Sequence, residues 1–413
     1  MTTTGPRGQR PVDAATPASS RNRSSVAASL DPDAPAPGTR SATQTGGAIS
    51  EIGPPPVAFR PDWALPPGTI LRKELAARGM SQADLSQRTG LSPKHINQVV
   101  MGSASLSPDV ALRLERAMGT SSAVWLSLEA HWQNHVAREE AGAALLEHVE
   151  WAKRFPVKEL IGHGVLSGSE QGSTLVEVIL RLFQVATPNA FEQVWLAPVA
   201  GFRRSQKHDV DPLATITWLR LGEMAAEDLP LARWNPARLR GVLPKLRGFT
   251  RLADADGFRQ AQTLLAACGV ATVYVPEIVG SRACGATRWR TGGTPLIVLS
   301  GRYRHADSFW FTLFHEIAHI LLHPRRATYV DLDGEYGDDQ DGQESEANDY
   351  AAELLIPASF GPRLVGARRF SQLAVLADEA GVDQGIVAGR YGHLTNNWQL
   401  GARLRHRLDL AGL

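Results

Sequence analysis

Cysteine is nearly absent from this 413-residue chain. The two present, Cys268 and Cys284, are too few for a disulfide framework and do not make a paired C-x-x-C zinc knuckle. No stretch of 18 or more apolar residues occurs, so no transmembrane helix and no membrane partner are expected. A dominant charge is missing as well. Lys and Arg total 43 against 42 Asp and Glu, a net +1, which argues against a uniformly basic nucleic-acid coat. The first 58 residues lack any aromatic side chain and carry nine prolines. Such a segment buries too little apolar area to offset its ordering entropy, so residues 1–62 are expected to form a disordered tail. That tail has neither an apolar core run nor an amphipathic stripe, the marks of secretory and transit peptides. These absences point to the reducing cytoplasm.

What is present is more specific. A hydrophobic content of 43% over 413 residues supports two or three domains with real cores. The run His315-Glu316-Ile317-Ala318-His319 spells H-E-x-x-H inside a helical stretch. Histidines four apart lie on one helix face, one turn apart, where both imidazoles reach a single tetrahedral metal. The glutamate between them stands close enough to act as general base on a metal-bound water. Asp307 or Ser308 offers an N-cap and Pro324 a stop.

A third ligand is expected downstream, on the helix-forming segment from Glu344 to Ile356, which ends before Pro357. Its apolar stripe is read as Ala347, Tyr350, Ala351 and Leu354. Glu344 and Glu346 are two residues apart and point about 200° apart, so one of them faces the metal and periodicity does not choose which. The order H-E-I-A-H followed by E-A-N-D-Y-A-A-E-L-L-I-P resembles the ImmA/IrrE family of metallopeptidases. That resemblance implies a zinc site of His315, His319 and Glu346, with Glu316 as catalytic base. Upstream, Val270–Val275 and Pro295–Ser300 read as short strands around a polar, Gly- and Thr-containing stretch. This is the order the family places before its active helix, and the resemblance spans about residues 250 to 360. Ala318 stands where the family usually has Gly.

A second signal lies nearer the front. Leu71 and Leu75 mark a helix closed by Gly79. Ser81 caps Gln82–Arg88, and after Gly90 the pair Ser92-Pro93 opens a helix through Ile96, Val99 and Val100. Ser107-Pro108 repeats the start signal, and Gly119 closes the run. Helix, glycine turn, helix is the helix-turn-helix plan, whose second helix enters the major groove. Lys94, His95, Asn97 and Gln98 are the outward base-reading candidates, with Gln82 and Arg88 on the preceding helix. The stretch Leu71–Leu128 resembles the XRE (Cro-type) repressors and, more narrowly, HigA-type antitoxins. The resemblance implies a homodimer on a double-stranded DNA operator and leaves room for a toxin partner.

Between the modules, Leu175–Phe183 and Ala214–Leu221 read as helices, and Trp195 and Trp218 as core. His163 and His208 have no partner at ligand spacing. After the metal motif, Phe370–Asp383 opens a helical pair, expected to pack on the peptidase core rather than read DNA. The fold class expected is mainly α, α+β overall. A disordered tail (1–62), an all-α helix-turn-helix domain (63–135), a helical connector (136–250) and a zincin-like α+β metallopeptidase domain with a small sheet (251–413) follow in order. The implied protein is a zinc-dependent regulator that cleaves a partner repressor or itself. The competing reading is a non-enzymatic antitoxin whose zinc domain is a scaffold. Tyr303, Tyr329 and Tyr350 are the oxyanion candidates.

Overall fold

The computed structural model describes residues 64–197, 210–325, 328–332 and 342–413. The tail and His208 therefore lie outside the described residues. Among the described helices none is long and apolar enough to cross a membrane.

The first described helices are α1 (Pro67–Ala77), α2 (Gln82–Thr89), α3 (Pro93–Val100), α4 (Pro108–Met118) and α5 (Ser122–Leu145). Local chemistry sets their ends. Ser81 accepts from the Asp84 amide while the Asp84 carboxylate accepts from the Ser81 amide, a closed capping box. Gly90 ends α2 in the left-handed region at φ 68°, where a side chain would be strained. Ser92 then caps α3 through the His95 amide. Leu71, Leu85, Ile96, Leu114 and Trp125 are each at most 1% exposed and form the small core that fixes the angle between α2 and α3. Such a core stabilises the module because each buried aliphatic side chain contributes about 1.5–3 kcal/mol.

Helices α6 (Ser173–Leu182), α7 (Pro212–Ala225), α8 (Pro236–Gly248) and α9 (Asp254–Ala266) lead into a four-stranded mixed sheet. Its strands are β1 (Ala271–Tyr274), β2 (Ala283–Trp289), β3 (Pro295–Leu299) and β4 (Tyr329–Leu332), in the order β1-β3-β2-β4. β1 runs parallel to β3, and β2 runs antiparallel to both β3 and β4. The two strands expected from sequence are β1 and β3, and the polar stretch between them is β2. β4 is an addition.

The sheet is covered on both faces. One face meets helix α10 (Ala306–Leu322), with Phe258, Ile297, Leu299, Trp310, Leu313 and Ile317 in one core. The other meets the segment read as a connector. Ala214, Ile216, Trp218 and Leu221 of α7 share a core with Ala271, Val273, Ala286 and Val298. A Cβ on Gly222 would lie 2.5 Å from Val298 Cγ2, so glycine lets α7 lie directly on the strands. The physical reason is strand composition: residues apolar on both faces must be buried on both. Trp195 and Trp218 are core, each with its indole N–H donating to a backbone carbonyl.

Helix α11 (Gln343–Leu355) packs along α10. Helices α12 (Phe370–Ala380) and α13 (Gln384–Thr395) close that side, with Leu373, Leu376, Ile386, Val387 and Tyr391 in the core of α10. The C-terminal pair packs on the core around α10, as its apolar pattern anticipates. N-capping of α10 differs from expectation. His305 is the N-cap without a side-chain bond, and Asp307 is buried, its Oδ2 accepting from Arg405 Nε at 2.7 Å.

Candidate metal centre and nucleic-acid interface

Three residues of α10 and the one that caps its end are sealed in the interior. His315, Glu316 and His319 are 2%, 0% and 1% exposed, and His323 just beyond the helix is 8% exposed. The i, i+4 spacing brings the Nε2 atoms of His315 and His319 to 2.9 Å from each other. From α11, Glu344 Oε2 stands 3.1 Å from His315 Nε2, and Oε1 stands 3.4 Å from His319 Nε2. These three are the one His/Cys/Asp/Glu cluster among the described residues whose ligand atoms all lie within 4.8 Å of one another.

Glu346, chosen from resemblance, is not in that cluster. Its carboxylate reaches His323 Nε2 at 3.3 Å and its side chain is 60% exposed. The reason lies in how α11 rolls against α10. Its buried residues are Ala347, Ala351, Ala352 and Leu355, not a stripe centred on Tyr350 and Leu354. Glu344 lies three and seven residues before Ala347 and Ala351, hence on their face.

The hydrogen bonds around the histidines select one set of tautomers. His315 Nδ1 is 3.0 Å from Asn348 Oδ1, so that nitrogen carries the proton and Nε2 keeps its lone pair. On the other side, Glu346 accepts from His323 Nε2, His323 Nδ1 accepts from His319 Nδ1 at 2.8 Å, and His319 Nε2 is left as an acceptor. Two imidazole lone pairs and a carboxylate then converge on one point. Burial holds His319 below the usual histidine range, which favours the neutral ring. For Glu344, burial works upward, but the His315 and His319 imidazoles beside it outweigh that and hold the carboxyl far below the usual carboxylate range, so it stays ionised. Tyr329 stacks on His319 with centroids 4.2 Å apart and planes at 18°, and its hydroxyl donates to Gln343 Oε1. Tyr303 lines a cavity at the other end of α10, and Tyr350 is half-buried on α11.

A residue that sequence reasoning missed shapes the seat of Glu316. At Gly285 of β2, a Cβ would lie 2.6 Å from Glu316 Oε1 and 2.5 Å from Thr312 Cγ2. Glycine is thus required where the strand crosses the helix. Thr287 of the same strand donates its hydroxyl to the Glu316 carbonyl at 3.1 Å. The only trace in the sequence is a glycine inside an otherwise strand-like run.

In the front module, all six DNA candidates fall on α2 and α3. Arg88, Lys94 and Asn97 are exposed, while Gln82, His95 and Gln98 are half-buried. The opposite face of α3, Ile96, Val99 and Val100, is in the core. The exposed face therefore carries cations and amides suited to phosphates and base edges.

Comparison with known proteins matches both modules. Residues 71–125 match the helix-turn-helix family, and residues 278–389 match the IrrE N-terminal-like domain. The chain is 33% identical over 78 residues to "Virulence-associated protein I" of Dichelobacter nodosus, covering 19% of this chain and 72% of that protein. It is 27% identical over 66 residues to the "Uncharacterized HTH-type transcriptional regulator YddM" of Escherichia coli (strain K12), covering 16% and 70%. A solved addiction module antidote protein of a HigA family from Coxiella burnetii is 28% identical, with 21% of this chain and 94% of that one covered and a TM-score of 0.19. Through its front module the chain belongs to the XRE-type helix-turn-helix regulators, and it joins to that DNA-binding module an ImmA/IrrE-like domain of the metallopeptidase type.

Proposed function

We propose that this chain is an operator-binding regulator whose ImmA/IrrE-like domain is a zinc-dependent endopeptidase acting on a regulatory protein. The observation that carries the reading is the convergence of His315 Nε2, His319 Nε2 and the Glu344 carboxylate, three deprotonated donors whose other contacts point away from the shared point. Two neutral nitrogens and one carboxylate, with room for a fourth ligand, are the donor set of hydrolytic zinc sites. Zinc bound there would supply Lewis-acid polarisation of a substrate carbonyl and a water acidic enough to deprotonate near neutral pH.

The remaining work falls to the protein. Glu316 lies between the two histidines and has no solvent exposure. It takes a proton from the attacking water as the C–O bond forms, then delivers it to the amine as the peptide C–N bond breaks. Gly285 and Thr287 fix where that carboxylate sits. Asn348 holds the His315 tautomer, and Glu346 holds that of His319 through His323. Glu346 is therefore a positioning residue and Glu344 the ligand. At the front, a homodimer places two α3 helices in successive major-groove faces of an inverted repeat, with half-sites about one helical turn apart. The substrate is a DNA-associated regulator or this chain itself, since the peptidase travels with a DNA reader.

Zinc content separates the two glutamates. Glu344→Gln should empty the site, whereas Glu346→Gln should keep zinc with roughly 10–100-fold weaker affinity. Zinc lost from the Glu346 variant and retained in the Glu344 variant would overturn this ligand set. Glu316→Gln should keep zinc and operator binding, and lower hydrolysis of candidate partner proteins by about 10²–10⁴-fold. If the Glu316→Gln strain still induces the target promoter normally, the domain is a scaffold and the antitoxin reading replaces this one.

A further inference from the structure

The two helices that carry the metal-type donors continue past them into a cavity. Phe311, His315 and His319 follow at four-residue steps on α10, and Glu344, Asn348 and Ala352 do so on α11, so each set shares one face of its helix. Beyond the donors, those faces and part of α13 line a cavity of about 530 Å³. It begins one helical turn, about 5.4 Å, from the cluster. Its wall residue Phe311 packs on His315 with ring centroids 6.4 Å apart, and its wall residue Asn348 lies 3.0 Å from His315 Nδ1.

The cavity is apolar at its floor and reachable at its rim. Ala352, Leu355, Ile356 and Ile386 are buried, whereas Asp349 and Trp398 are exposed. The ionised walls cancel. Asp307 and Asp349 are matched by Arg390 and Arg405, and Asp307 is already paired with Arg405 at 2.7 Å. Burial first, then Arg390 and Arg405, holds His393 below the usual histidine range, so that wall is neutral near pH 7. No charge of one sign is left over for an ionic ligand. A charged group carried down to the floor would lose its water without gaining a partner, whereas an apolar group is stabilised there by leaving water.

We propose that this cavity receives a large apolar side chain, aromatic or leucine-like, standing beside the bond to be cut in a polypeptide substrate. The inference rests on the peptidase reading, since it names what that site selects. Reach supports it. Neighbouring Cα atoms are about 3.8 Å apart, so a chain whose carbonyl lies at the donor cluster puts an adjacent side chain about one helical turn away, where Phe311 and Asn348 begin the cavity. Size supports a large side chain, because 530 Å³ falls in the range of roughly 300–1,000 Å³ that holds whole small molecules.

Calorimetric titration of the full chain carrying Glu316→Gln, with zinc supplied, tests the cavity by binding alone. The probes are N-acetylated, C-amidated pentapeptides Gly-Gly-X-Gly-Gly, with X as Phe, Leu, Ala, Lys or Glu. The Phe and Leu peptides should bind saturably, and the other three about 10–100-fold more weakly, the worth of burying one large apolar side chain. Adding Ser308→Phe, which narrows the cavity from the α10 side, should bring the Phe peptide down to the level of the Ala peptide. Should that variant melt early, Trp398→Ala at the exposed rim carries the test, with the Phe peptide weakened by about 3–10-fold and the Ala peptide unchanged. No saturable binding of the Phe peptide at millimolar concentration overturns the proposal. Tighter binding of the Lys or Glu peptide, or N-acetyl-L-phenylalaninamide binding as tightly as the Phe peptide, does the same. If the parent chain cleaves partner proteins while all five peptides bind alike, the cavity assignment fails and the peptidase reading stands. If the ranking holds and the parent cleaves nothing, the preference for an apolar side chain stands and the peptidase reading fails.

Discussion

Gly285→Ala offers a sharp test of how the strand seats the Glu316 carboxylate. The backbone at Gly285 is not in the left-handed region, so alanine is allowed there conformationally. Replacing glycine in such a position ordinarily stabilises by about 0.4–1 kcal/mol through the unfolded chain. Here the new methyl would stand 2.5 Å from Thr312 Cγ2 and 2.6 Å from Glu316 Oε1, both shorter than any real Cβ contact. β2 is paired on both sides, to β3 and β4, and α10 is pinned by its own core, so neither can retreat freely. Overpacking of this kind costs about 1–3 kcal/mol, which outweighs the entropic gain and sets the expected sign. Net destabilisation by about 1–2 kcal/mol should appear as a lower denaturant midpoint with an unchanged slope. Glu316 must also move by several tenths of an ångström, and misplacement on the scale of 1 Å can cost about 10²-fold in rate. The double variant Gly285→Ala, Thr312→Ser removes one of the two clashes, so it should recover part of the stability and little of the activity. A Gly285→Ala protein as stable as the parent, with undiminished hydrolysis, would refute the claim that this strand position is reserved for glycine.

Other expectations are independent of that one. Trp125→Ala should cost about 3–5 kcal/mol, because the ring is fully buried in the core beneath α2 and α3, and circular dichroism of the isolated front module should show it melting early. Asn97→Ala should relax base preference by about 1–3 kcal/mol, whereas Arg88→Ala should weaken all sequences alike and flatten the salt dependence, both read by operator titrations. A module with no preference for any operator over random DNA would end the repressor reading. Burial lowers His163, and burial together with Arg390 and Arg405 lowers His393, both from 6.5. The unfolded chain then binds more protons below pH 6.5, so stability is flat above that pH and falls as pH drops through it. Urea midpoints at pH 7.5 and 5.5 measure this, and His163→Gln should reduce the difference.

What the sequence determined by itself is what short-range geometry dictates. The H-E-x-x-H pair is legible because four residues of helix place two side chains on one face whatever surrounds them. The front module is legible because Ser81, Gly90, Ser92 and Gly119 act within one turn of where they stand. β1 and β3 show as apolar runs bounded by glycine and proline for the same reason. Tertiary structure decided the rest, since the deciding contacts lie far apart in the chain. Which of Glu344 and Glu346 stands beside His315 and His319 rests on how α11 rolls against α10, with Ala351 and Leu355 in a shared core. β4, four residues long, has a role only once β2 exists to pair with it. The segment between the modules reads as a string of helices until the bare second face of the sheet appears and α7 is seen to cover it. The need for glycine at position 285 is likewise invisible locally, because the atoms that forbid a methyl belong to a helix some thirty residues away.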